Sequence, residues 1–174
     1  MSENRGERSA RIARMDRAFR KGDMDALLAA AAGEWRIPAG PMPIEIGHCL
    51  EYAIYHSPLP FIEQLLKMGA DPNPVDHTGF PPLIAAVWQS TRPDVVPLVE
   101  LLLSFGADPD QRGMNDYTAL QVAVIERRPA VVEILLAHGA DPQLRTRIDN
   151  LESAVELALA SGNRLIIALL SGLE

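Results

Sequence analysis

The chain has 174 residues, a formal net charge of -7 and a single cysteine; nearly half of it is apolar and only 5% is aromatic. One cysteine excludes an internal disulfide framework and a cysteine-built zinc finger, and the acidic balance argues against a dedicated nucleic-acid binder. No apolar run reaches the roughly 18 residues of a membrane span, and residues 1–24 lack the apolar centre of a signal peptide. The expectation is a cytoplasmic protein of one domain or one short repeat array, with no membrane contact.

Residues 1–24 hold seven basic and four acidic side chains, so they carry +3 and the rest of the chain -10. Six arginines recur at every third position from Arg5 to Arg20. On a helix that spacing winds around the axis instead of forming one stripe. Residues 1–11 are read as a basic, partly frayed arm. A proline-rich stretch from Ile37 to Pro43 follows the first helical segments.

Beyond it the chain repeats itself. Leu65-Leu66-Lys67-Met68-Gly69-Ala70-Asp71-Pro72 returns at 102–109 and again at 135–142, at spacings of 37 and 33 residues. Upstream of each copy an apolar residue stands three places before an alanine, as in Leu50/Ala53, Leu83/Ala86, Leu120/Ala123 and Val155/Ala158. Met15/Ala18 extends the frame backwards. Small alanines let neighbouring helices approach closely, and runs such as Val131, Val132, Ile134, Leu135 read as core-facing helix stripes. Glycine after the last helical residue takes the left-handed conformation that closes a helix, and the proline beyond it prevents continuation. Pro97 and Pro129 are expected to open second helices, and Thr118 and Ser153 to cap first ones. One helix pair cannot bury such faces alone, so stacking must complete the core.

These repeats resemble the ankyrin family. Asp76-His77-Thr78-Gly79-Phe80-Pro81-Pro82-Leu83-Ile84-Ala85-Ala86 is similar to its Asp-x-x-Gly-x-Thr-Pro-Leu-His-x-Ala-Ala, and Leu102-Leu103-Ser104-Phe105-Gly106-Ala107-Asp108 to its repeat end. The resemblance implies an all-α, ankyrin-repeat α-solenoid with short β-hairpin or loop fingers and about five helix-pair units. Their expected bounds are a degenerate capping repeat at 12–36, repeats at 37–73, 74–110 and 111–145, and a C-terminal capping repeat at 146–174. The third carries an insertion around Trp88–Pro93. The family's Thr-Pro-Leu-His is incomplete in every unit, reading Thr118-Ala119-Leu120-Gln121 in the fourth, so its hydrogen bonds between repeats are in doubt.

The resemblance also implies binding of another protein in a concave groove, without cofactor, metal or catalytic residues. By register, the finger tips contribute His77, Phe80, Asn115, Asp116, Tyr117, Arg145, Arg147, Asp149 and Asn150. The exposed sides of the first helices contribute Tyr52, Tyr55, His56, Trp88, Gln89, Ile125 and Glu126. Tyrosine and tryptophan are frequent interface anchors, although Tyr52 and Trp88 could equally seal contacts between repeats. An acidic body suits a partner with a basic surface. An adaptor or regulator, an inhibitor or immunity-type protein blocking one enzyme or toxin, and an enzyme with an unrecognised site are the three readings, in that order. No two histidines have the i,i+4 spacing of a helical zinc pair, and Gly-Ala-Asp-Pro follows a helix where a phosphate loop would precede one. Fourteen Arg against two Lys points to a GC-rich bacterial genome. A monomer is expected of a capped array.

Overall fold

A computed structural model describes residues 5–32, 35–39, 42–43, 48–74, 80–89, 91–113, 116–147 and 151–172. Among them are ten helices and no strand. The chain divides into two compact units, Met1–Asp71 and Pro72–Glu174.

The first unit contains α1 (Arg5–Lys21), α2 (Met24–Ala31), α3 (Cys49–His56) and α4 (Leu59–Lys67). Helix α1 starts at Arg5, so much of the segment expected as an arm is helical. It buries Met15, Ala18 and Phe19. The ring of Phe19 meets Phe61 of α4 and Tyr52 of α3 edge-on, at 5.7 and 5.0 Å between centroids. Gly22 turns the chain from α1 into α2 with φ 68°; a β-carbon there would lie 2.8 Å from Pro58 Cγ, so glycine is required twice over. Asp23 caps α2 by accepting from the Ala26 N–H. Trp35 is buried beneath the Arg11 guanidinium, 4.1 Å from its centroid, with Arg8 at 5.6 Å.

The second unit contains α5 (Pro82–Trp88), α6 (Val95–Ser104), α7 (Ala119–Ile125), α8 (Pro129–Ala137), α9 (Ala154–Ser161) and α10 (Arg164–Ser171). Each helix packs on the next in its pair, and the pairs stack: α5 on α7 on α9, and α6 on α8 on α10. This is an all-α repeat stack of two helical layers. Ala86, Ala123 and Ala158 are buried where first helices meet, and Leu98, Leu102, Val132, Leu135 and Ile166 fill the space behind them. Burying one such large side chain stabilises by roughly 1.5–3 kcal/mol.

The Gly-Ala-Asp-Pro ends have a single geometry. Gly106 and Gly139 adopt φ 85° and 86°. Their N–H groups bond back to Leu103 and Leu136, and the following alanines, Ala107 and Ala140, bond back to Leu102 and Leu135. That is the Schellman closure, with the alanine buried against the helix it ends. Gly69 and Ala70 repeat it at the end of α4. Arg127 occupies the corresponding left-handed position after α7, with φ 55° on a residue that carries a β-carbon.

Thr118 and Ser153 cap α7 and α9 as complete capping boxes with Gln121 and Glu156. Pro129 opens α8 as expected. Pro97 does not open α6: the helix starts two residues earlier, at Val95. Proline is tolerated there because N–H groups of the first turn lack intrahelical acceptors. The fingers are turns and not strand pairs among the described residues. In one, Gly113 donates to the Tyr117 carbonyl and Asp116 to that of Gly113, both at 2.9 Å.

Polar bridges tie successive repeats. The Gln121 amide is fully buried and donates to the carbonyls of Leu144 and Glu152, at 3.0 and 2.8 Å. It stands where the family has histidine, so the bond between repeats survives with a different donor. Asn73 bridges Gly106 and Asp108, and Asp110 accepts from the Asp141 N–H.

Candidate partner-binding surface

In the second unit, Phe80 precedes Ala86 by six residues and Tyr117 precedes Ala123 by six. Trp88 and Ile125 each follow the same alanines by two and end α5 and α7. Because α5 packs on α7, the two pairs occupy equivalent places on adjacent repeats. Trp88 is 45% exposed and Ile125 46% exposed. The rings of Phe80 and Trp88 stack, with centroids 5.8 Å apart and planes inclined by 25°. Gln89 ends α5, its N–H bonded to the Ala85 carbonyl, and Glu126 ends α7 in the same way through Val122.

The finger residues divide by what their side chains touch. Asp116 is only 7% exposed and has φ 61°. Its carboxylate accepts from Arg112 at 2.9 Å, from the Arg147 guanidinium at 2.7 Å, and from the Arg147 backbone N–H. The hydrogen bonds from Arg147 hold the Asp116 carboxyl below the ordinary carboxylate range, against the opposing effect of burial. Asp116 therefore joins two fingers, while Arg147 remains largely exposed. Arg145 is exposed and bonds Glu156 and the Leu151 carbonyl. The Ser153 N–H, and after it the Arg145 guanidinium, hold the Glu156 carboxyl below the ordinary carboxylate range. His77, Asn115, Asp149 and Asn150 lie outside the described residues.

In the first unit, Tyr52, Tyr55 and His56 all sit on α3, half-buried. Tyr52 donates its hydroxyl to Asp16 at 2.6 Å and lies 4.4 Å from the His56 ring. Burial, with the Asp16 carboxylate beside it, pushes the Tyr52 hydroxyl up to about 12. Burial and the Arg20 charge lower His56. Tyr52 is thus fastened within its own unit. Cys49 is buried and its thiol is pushed up to about 12, so the thiolate a nucleophile needs is disfavoured.

Sequence reasoning missed Arg112, Gln121 and the exposed Leu151 and Leu159. The register carried a signal for Gln121, which stands at the histidine of the family motif. It carried none for the inward turn of Asp116, because Arg147 is 31 residues away.

Among the described residues no group of three or more His, Cys, Asp and Glu side chains converges as a metal set, and no helix is long and apolar enough to cross a membrane. No curated protein matches the chain. A family model, ankyrin repeats in three copies, matches residues 50–146, more than half of the sequence. Ankyrin repeats are in general protein–protein interaction modules and typically non-catalytic. The matched segment, its left-handed glycine closures and the two-layer stack agree, and the chain belongs to the ankyrin-repeat family.

Proposed function

We propose that the protein is a non-catalytic adaptor or regulator that binds a partner protein on the first-helix side of its second unit. The observation carrying this reading is the half-exposed Trp88, stacked on a partly buried Phe80, with the half-exposed Ile125 at the equivalent position of the next repeat. Aromatic side chains bury large area for little lost conformational freedom, so they act as anchors when a partner covers them. Arg145 and Arg147, exposed on the fingers, and Glu126 give a polar rim around that apolar centre. A partner with a basic surface would be drawn to the acidic body, whose charge accelerates encounter.

The test is affinity capture from the native host with the wild type and with Phe80→Ala/Trp88→Ala. The reading requires a protein retained by the wild type and lost by the double variant at equal folded concentration. Equal retention by both would overturn it.

A further inference from the structure

A second surface lies wholly in the first unit and is independent of the one above. Helices α1 and α2 flank a cleft of about 390 Å³, lined by Arg14, Arg17, Ala18 and Lys21 from α1 and by Asp23, Ala26, Ala29 and Ala30 around α2. The α1 residues stand at i, i+3, i+4 and i+7, which places them on one helix face. Although the arginines as a set wind around α1, Lys21 completes a short basic stripe beside Ala18. Arg14, Arg17 and Lys21 are exposed, and among the described residues none of them makes an ion pair. Arg20, in contrast, is held by Asp16. Among the described residues that line the cleft, the one acid, Asp23, has its carboxylate directed to the Ala26 N–H.

Four alanines make up the apolar part of the lining, and its three cations all come from α1. We infer that this cleft binds an acidic peptide segment of a partner protein, with carboxylates paired to Arg14, Arg17 and Lys21 and a small apolar side chain seated on the alanines. The three cations span about 10 Å of helix at 1.5 Å per residue, too far for one phosphate or carboxylate to reach all of them. A segment with acidic residues at matching helical spacing reaches each. Single-stranded nucleic acid is disfavoured because none of the described lining residues carries an aromatic ring on which a base could stack.

The test uses a fluorescent peptide with glutamates at i, i+3 and i+7 and alanine and leucine between them. Its binding to the whole protein is followed by anisotropy. Arg14→Glu/Arg17→Glu is expected to weaken binding about tenfold or more, since three attractions are reduced to one and two repulsions appear. Ala26→Leu/Ala29→Leu fills the cleft without touching its charge and is expected to weaken binding about as much. All four positions are exposed, so helical ellipticity and melting should be unchanged. Unaltered peptide affinity in both folded variants would overturn the inference. So would equal binding of a glutamine-substituted peptide or tighter binding of a single-stranded oligonucleotide.

Discussion

Trp88 lies over Phe80 with ring planes 25° from parallel, yet it remains 45% exposed. The indole is thus held against a neighbouring ring while close to half of its surface meets solvent. Such an arrangement fixes the ring before any partner arrives and lowers the ordering cost of binding.

Trp88→Ala should therefore separate binding from stability. A half-exposed ring contributes little to folding, so the thermal midpoint should stay close to wild type. Partner affinity should fall by about 2 kcal/mol, the scale of an interface anchor. Isothermal titration together with circular dichroism checks both. Unfolding of the variant would place Trp88 in the core.

Gln121 carries the opposite expectation. Its amide is buried and satisfies two carbonyls in the next repeat. Gln121→Ala leaves both unsatisfied, and the loss should be about 2–3 kcal/mol in urea unfolding. A loss below about 0.5 kcal/mol would mean that water replaces the amide freely.

The left-handed positions should respond with opposite signs. Gly106 has open space where a β-carbon would go, so Gly106→Ala tests conformation alone. A β-carbon in that conformation costs about 1–2 kcal/mol. Arg127 already bears that strain. Arg127→Gly should relieve it, less the greater freedom of glycine in the unfolded chain, for a net gain of about 0.5–1 kcal/mol. Paired melting curves read both effects.

How much of this was legible follows from the range of each interaction. The helix ends at Gly69, Gly106 and Gly139 were readable because each closure is completed within six residues of one motif. The stacking helices were readable because alanine and leucine recur in phase. Pro97 misled because a proline fits any position of a first turn, so it marks a helix start only to within a turn. Asp116 looked like a finger tip offered to a partner. Its carboxylate instead faces Arg112 and Arg147, and only the packing of one finger on the next decides that.

Asp116 also predicts a pH dependence. Its carboxyl titrates below its ordinary value of 3.8 in the folded protein. A depressed acid binds fewer protons folded than unfolded, so its contribution is complete above the unfolded value and is lost as pH falls through the folded one. Asp116→Asn keeps the side-chain shape and tolerance of positive φ but removes the charge. The stability difference between wild type and Asp116→Asn should be largest near neutral pH and shrink as pH falls below about 4. A difference independent of pH would show that the charge of Asp116 contributes nothing.

In the proposed function a partner protein sits on the Phe80–Trp88 face of the second unit. Photo-crosslinking tests it most directly, with a benzophenone amino acid placed at position 88 or, as a control, at the exposed position of Phe105 on the second-helix layer. One discrete protein adduct is expected from position 88 in the native host, displaced by excess wild-type protein and absent from position 105. No adduct at position 88, or the same adducts from both positions, would contradict it.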